Sequence, residues 1–367
     1  MTSGRIKIII AAAAMVAPVA AWAGPAGAAT PVACGSTVHG SATLHRDLHC
    51  HGDGVTVLSG TLNLNRHTIS GDGTGSGVVA GGPKVTIKNG SISKFFIGVT
   101  ASADGTAVSL DHVAISNTTD RAVDGEAINS VSLTNVTLRD NAGSGLLVIS
   151  PSKASLSHSV IVRNGYGVAL VFDGSVDIKD SVLDSNRVGL YCSQGQAFVT
   201  HSAFSRNDTG VSVSECEGSS FTSSAFVENK TSGLEETEAY ADFAKPTLTL
   251  SHDAFYKNGT GLALSAPGRA DVIRDSAFVG NDAGIVAQPC DSCDLVPNDQ
   301  LVSNYFASNT SDGANWGYGK VTVSRNRFVN NGGWGFIAGA GAKAVNGGGN
   351  IARGNHSGNC SGLACAS

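Results

Sequence analysis

Carboxylates recur at one place in a regular frame. Asp173 lies nine residues past Asn164, Glu215 and Glu217 lie eight and ten past Asn207, and Glu235, Glu236 and Glu238 lie six, seven and nine past Asn229. The segment after Asn186 contributes only Gln194. Carboxylates gathered this way bind calcium through oxygen or divide general-acid and general-base work on a glycosidic bond. Like charges that close also raise one another's pKa unless a cation intervenes. Only Arg269 and Arg274 follow nearby, so cations are scarce. The plainer account is that acidic side chains in surface turns are simply solvated, and the residues alone favour it. Asp173, Glu215, Glu217, Glu235, Glu236 and Glu238 are therefore the candidate catalytic residues, and Asp173, Asp177 and Glu215 the candidate metal ligands, with Ca²⁺ the candidate cofactor.

Histidines offer a second chemistry. His158, Asp180, His201, Ser223, His252 and Asp275 each precede a repeat asparagine by six residues, so stacking would bring His and Asp into a row. Asn135 and Arg325 occupy the same place in other repeats. A position that accepts so many polar types reads as a turn cap. His39, His45, His49 and His51 crowd the start of the chain and suit Cu²⁺ or Zn²⁺ by ligand type, without a regular spacing on one element.

The element that positions all of these is a repeat. An apolar residue, two spacers, an asparagine, a short gap, a glycine and a further apolar run recur at intervals of 21 to 29 residues. The asparagines are Asn117, Asn141, Asn164, Asn186, Asn207, Asn229, Asn258, Asn281, Asn309, Asn331 and Asn355. Between them run short alternating segments such as Ala197-Phe198-Val199-Thr200 and Thr247-Leu248-Thr249-Leu250, the period-2 signature of half-buried strands. Such a period built from short strands predicts one coil per repeat, a solenoid. Asparagine suits its tight turns because it tolerates left-handed dihedrals. The apolar residue three positions earlier (Ile161, Leu183, Phe204, Phe226, Phe255, Phe278, Phe306, Phe328) predicts an inward ladder. The high glycine content, 47 residues, is read as tight turns. One amphipathic helix is expected, Leu234 to Phe243, as an insertion on a turn. A second insertion is expected around Cys290 to Leu301.

Composition narrows the class. Charged residues make up 14% of the chain and the net charge is −5, so no basic surface for nucleic acid is expected. Arg5 and Lys7 precede an apolar run from Ile8 to Ala23, followed by small-residue cleavage sites, which predicts a secretory signal peptide and a secreted, extracellular protein. Pro18 breaks the run, and no later segment is long and apolar enough to span a bilayer, so no membrane association is expected after cleavage. Eight cysteines fall into four close pairs: Cys34 with Cys50, Cys192 with Cys216, Cys290 with Cys293, and Cys360 with Cys365. An even count in an exported chain suggests disulfides. Cys192 and Cys216 fall in neighbouring coils, whose spacing of about 4.8 Å suits a bridge.

Asp47-Leu48-His49-Cys50, then Leu64-Asn65-Arg66-His67-Thr68-Ile69-Ser70-Gly71 and Val85-Thr86-Ile87-Lys88-Asn89-Gly90, resemble the N-terminal coils of secreted bacterial right-handed β-helix repeat proteins. The whole repeat region is similar to the pectin-lyase-like superfamily. The resemblance implies an all-β, single-stranded right-handed parallel β-helix of about 12–13 coils. The expected division is a signal peptide over 1–28, an N-terminal cap over 29–60, the β-helix over 61–358 and a C-terminal tail over 359–367. The stretch Phe172-Asp173-Gly174-Ser175-Val176-Asp177-Ile178 is similar to the Asp-Gly-x-x-Asp-Ile of pectate lyases, which implies a calcium ligand at Asp177. Asp111-His112 is similar, more weakly, to that family's preceding coil. No arginine stands at the spacing of the lyase base, and the galacturonase motifs Asn-Thr-Asp, Asp-Asp and Gly-His-Gly are missing. The reading is a secreted protein, expected to be monomeric, that binds or processes an extracellular polysaccharide or cell-envelope glycan; any turnover would be that of a lyase, epimerase or glycoside hydrolase. Two alternatives stand beside it: a non-catalytic envelope or interaction protein, and a metal-binding exported protein.

Overall fold

A computed structural model describes residues 31–101, 104–126, 128–149, 152–237, 248–265, 270–288 and 298–367. From Val32 to Ser367 the chain forms a single unit, a parallel β-solenoid of about 13 turns. One coil shows the plan. Tyr166–Val171, Ser175–Lys179 and Val182–Asp184 are its first, second and third strands. Each pairs in parallel with its counterpart one coil on, Val188–Ser193, Gln196–Thr200 and Ala203–Ser205. Stacking the coils makes three sheets around one core. Among the described residues no helix is long and apolar enough to cross a membrane.

Alternation decides which side chains enter that core. Val168, Leu170, Val176, Ile178 and Leu183 turn inward and are fully buried. The expected aromatic ladder is present: Phe204, Phe226, Phe255, Phe278, Phe306 and Phe328 stack with successive ring centroids 5.3, 4.4, 4.6, 4.9 and 4.9 Å apart. Offset-stacked rings at such distances add to what burial alone contributes.

The asparagines form a second ladder inside the turn that follows the third strand. From Asn141 onward, each main-chain N–H and each Nδ2 donates to the Oδ1 of the next asparagine, ending at Asn355. Nδ2 also donates to a strand carbonyl of the preceding coil, as Asn207 does to Leu183 at 3.0 Å. A polar side chain thus satisfies backbone groups that the turn would otherwise bury unpaired. Asn117 is not part of this ladder. It is exposed and left-handed (φ 56°), and Thr118, three residues past the buried Ile115, takes the position and donates to Asn141 Oδ1. The apolar spacing, not the asparagine, marks the register there.

The sequence reading missed a third ladder. Five residues before each asparagine, Ser159, Ser181, Ser202, Ser224, Asp253, Ser276, Asn304 and Asn326 lie buried. Each main-chain N–H donates to the next side-chain oxygen along the row.

The glycines three residues past the asparagines have a different cause from the one expected. Gly167 and Gly189 lack positive φ; a Cβ on either would stand 2.4 Å from the carbonyl oxygen of the matching glycine one coil on. Close approach of backbones excludes a side chain there, not a tight turn.

Several boundaries differ from expectation. The segment assigned to a cap carries Ser36–Thr43 and Leu48–His49, which pair with Val55–Asn63 and Thr68–Ser70, so it is already a coil. The assigned tail supplies all but the first residue of the strand Gly358–Ser361, paired to the strand Trp334–Gly348, and a bridge from Ala366 to Ile351. The expected helix begins inside a strand, Ser232–Thr237, because Leu234 must fill the core row between Val211 and Leu262; residues 238–243 lie outside the described residues. Disulfides join Cys34 to Cys50, Cys192 to Cys216, and Cys360 to Cys365. Cys290 and Cys293 lie outside the described residues.

Candidate functional site

The turn between first and second strands holds part of the acidic cluster. Asp173, Gln194 and Glu215 occupy the same left-handed corner in three successive coils, with φ of 53°, 55° and 54°. They line a recess of about 700 Å³ with Lys153, Gln196 and Glu217. Gln194 Nε2 donates to Glu215 Oε2 at 2.8 Å, and Gln196 Nε2 donates to the Glu217 carbonyl at 3.1 Å. The Cys192–Cys216 bridge fastens the corner that carries Glu215 and Glu217 to the coil beneath. Two coil spacings separate Asp173 from Glu215, about 10 Å.

The rest of the cluster is dispersed by strand alternation. Glu235 and Glu236 are consecutive in Ser232–Thr237, so they point to opposite faces. Glu236 turns inward, 1% exposed, as Cα partner of Val213 and Leu264. Glu235 faces out from the first sheet beside Ser212, and its carboxylate accepts from Ser232 Oγ at 3.0 Å. Asp177 stands on the second sheet between Ser155 and Phe198, outside the recess. Glu238 and Arg269 lie outside the described residues. Arg274 is engaged by Asp275 at 3.1 Å. Equal offsets from the asparagines therefore did not mean equal positions, because a count of residues ignores where the turn ends and the strand begins.

The histidine row is a row of elbows. His158, Asp180, His201, Ser223, His252 and Asp275 are all left-handed, with φ between 48° and 60°. His158 Nε2 comes within 3.7 Å of Asp180 Oδ2. Near the start, His49 meets Ser70 Oγ, His51 meets Asp72 and His67 meets Asp47, each with its own partner. Among the described residues, no three His, Cys, Asp or Glu side chains converge to hold a metal ion.

The outer face of the first sheet carries residues that the sequence reading passed over. Tyr166 and Tyr191, from adjacent coils, form a tilted pair with ring centroids 5.5 Å apart. The Arg187 guanidinium lies over the Tyr166 ring, 4.5 Å from its centroid. A cation over a tyrosine face is held by the ring quadrupole. Along the same sheet, Asp124, Leu147, Ala169, Tyr191, Ser212 and Glu235 are successive Cα partners. Arg121 donates through Nη1 to Asp124 at 2.8 Å, and its Nε lies 3.3 Å from Asp120. Burial pushes the Asp124 carboxyl up from its ordinary value, and Arg121 opposes that. The overlooked signal was local. Tyr166 and Arg187 follow their asparagines by two residues and one, where the turn hands the chain to the first strand.

The family described as right handed beta helix region matches residues 35–183 and 122–272, over half of the chain. No curated protein matches the sequence significantly. Among solved structures, the A-module of the mannuronan C-5 epimerase AlgE6 from Azotobacter vinelandii is similar in fold, with a TM-score of 0.51 at 11% identity, covering 89% of this chain and 91% of that one.

Proposed function

We propose that this chain, which belongs to the right-handed β-helix region family, is an exported protein that binds an extracellular polysaccharide along the outer face of its first sheet. The observation that carries the reading is the Tyr166–Tyr191 pair with Arg187 stacked on it. Aromatic faces pack against the apolar faces of sugar rings, and a guanidinium adds bidentate donors for a carboxylate. An acidic polysaccharide is therefore the ligand class. The likeness to an epimerase module supports the fold on which such a surface is built, and the activity is argued from the surface alone.

The same geometry bears on turnover. Asp124 and Glu235 are five coils apart, about 24 Å. A pair of carboxylates that hydrolyses a glycosidic bond stands about 5–9.5 Å apart. Those two residues cannot share one bond, so no turnover is assigned to that pair. Asp173 and Glu215, at about 10 Å, come nearer to the spacing of an inverting pair, and the turn recess is the second reading for that reason.

The test is affinity of purified protein for a panel of acidic and neutral polysaccharides, followed by Tyr166→Ala with Tyr191→Ala. Loss of binding to the acidic members by tenfold or more is expected. Binding that survives the double replacement removes the first sheet from consideration.

A further inference from the structure

A different surface is lined mainly by uncharged polar groups. At the elbow between second and third strands, near the N-terminal end, lies a recess of about 810 Å³. Asn65, Asn89, His112 and Asn135 line it from four successive coils, each left-handed, with φ of 50°, 59°, 54° and 54°. Ser91 and Ala114 are part of its lining.

The hydrogen bonds fix which atoms remain for a ligand. Asn65 Nδ2 donates to the Leu44 carbonyl at 3.2 Å, Asn89 Nδ2 to Asn63 Oδ1 at 3.2 Å, and Asn135 Nδ2 to Asp111 Oδ1 at 3.4 Å. Each amide thus spends one of its two N–H groups, and among the described residues none of the three Oδ1 atoms accepts a hydrogen bond, so each asparagine keeps one donor and one acceptor for a ligand. His112 Nδ1 lies 2.7 Å from the same Asp111 oxygen. With Nδ1 engaged there, Nε2 is the ring atom left to face a ligand. The elbow therefore offers an oxygen and a spare N–H from each asparagine and a ring nitrogen from His112, one coil apart at about 4.8 Å, with Arg66 and the Ser91 hydroxyl beside them.

We propose that this elbow binds an uncharged, hydroxyl-rich chain, a neutral oligosaccharide laid along the solenoid axis. Hydroxyl groups both donate and accept, which matches carboxamides that each keep an oxygen and an N–H, whereas the fixed charge of a carboxylated sugar would stand beside Asp111. The coil spacing is close to the length of one sugar in an extended chain, so successive residues meet successive acceptors. Each acceptor is pre-positioned by the bond at its other end, which lowers the ordering cost of binding. This site lies on another face from the tyrosine pair and calls for an uncharged ligand rather than an acidic one. It stands or falls independently of the proposal for the first sheet.

The experiment is calorimetric titration of the full chain with cellohexaose, xylohexaose and mannohexaose, and with a polymannuronate hexamer as acidic comparator. The variant is Asn89→Gly with Asn135→Gly, since glycine keeps a left-handed elbow while removing the amide. Binding of at least one neutral hexamer is expected, weakened roughly tenfold or more in the variant, with the polymannuronate response and the melting temperature unchanged. Tyr166→Ala with Tyr191→Ala should leave the neutral hexamer bound. The proposal is overturned if no neutral hexamer binds, if binding is indifferent to the glycine pair, or if it is lost with the tyrosines instead.

Discussion

Replacing Asn207 by alanine removes a side chain that satisfies its neighbours in both directions. Its Oδ1 accepts from the Asn186 main-chain N–H at 2.8 Å and from Asn186 Nδ2 at 3.2 Å. Its Nδ2 donates to the Leu183 carbonyl at 3.0 Å and to Asn229 Oδ1 at 3.1 Å. The position is 1% exposed, so water does not replace those partners. Alanine orphans two main-chain groups, at about 1–3 kcal/mol each, for a loss of about 2–6 kcal/mol. The comparison is Asn117→Gly. Asn117 has the same sequence context, but its side chain is exposed and donates only to Ser116 Oγ at 3.2 Å. Glycine suits its left-handed backbone, so a change within about 0.5 kcal/mol is expected. Urea unfolding gives the global loss. Hydrogen exchange at the Asn186 amide gives the local one, which matters because stacked coils open in parts. Equal costs for the two replacements, or a cost below about 1 kcal/mol for Asn207→Ala, would refute the ladder as a source of stability.

Two further outcomes are expected. Asp253 sits in the serine-rich ladder, where burial pushes its carboxyl up to about 7 against two main-chain donors, Ser224 and Ser251. A folded pKa above the unfolded value of about 3.9 means that the native state holds the proton more tightly. Its contribution to stability is then full below about pH 4 and is lost as the pH rises through 7. Asp253→Ser, the residue of the adjacent coils, should flatten the melting temperature between pH 4 and 8, and an unchanged slope would count against the assignment. For the turn recess, Glu215→Gln with Glu217→Gln should abolish any rise in melting temperature caused by Ca²⁺; a calcium response that persists places the ion elsewhere.

How far the sequence could be read varied by position. The buried stack from Phe204 to Phe328 was legible because its spacing from the asparagines is fixed by the three-residue third strand and the tight turn after it. The carboxylates were counted forward from the same asparagines, through a first strand whose start varies from coil to coil. Thr209–Ser214 and Ser232–Thr237 both have 6 residues, but the first begins two residues past Asn207 and the second three past Asn229. Glu215, eight residues past its asparagine, therefore lies beyond its strand in the turn, while Glu235 and Glu236, six and seven past theirs, fall inside a strand on opposite faces.

The sequence by itself determined the solenoid, the parallel stacking and the inward apolar rows. Those follow from local periodicity, which every coil states again. The pairing of Cys192 with Cys216 was also within reach, because adjacent coils stand one fixed spacing apart. Tertiary structure alone decided which polar side chains share a surface. Tyr166, Arg187 and Tyr191 come from two coils and meet only through the register of the first sheet. Asn65, Asn89, His112 and Asn135 become one recess only because four elbows stack. A core position needs one property, apolarity, that the local pattern displays. A binding surface needs several atoms at set distances, and those distances are properties of the stack.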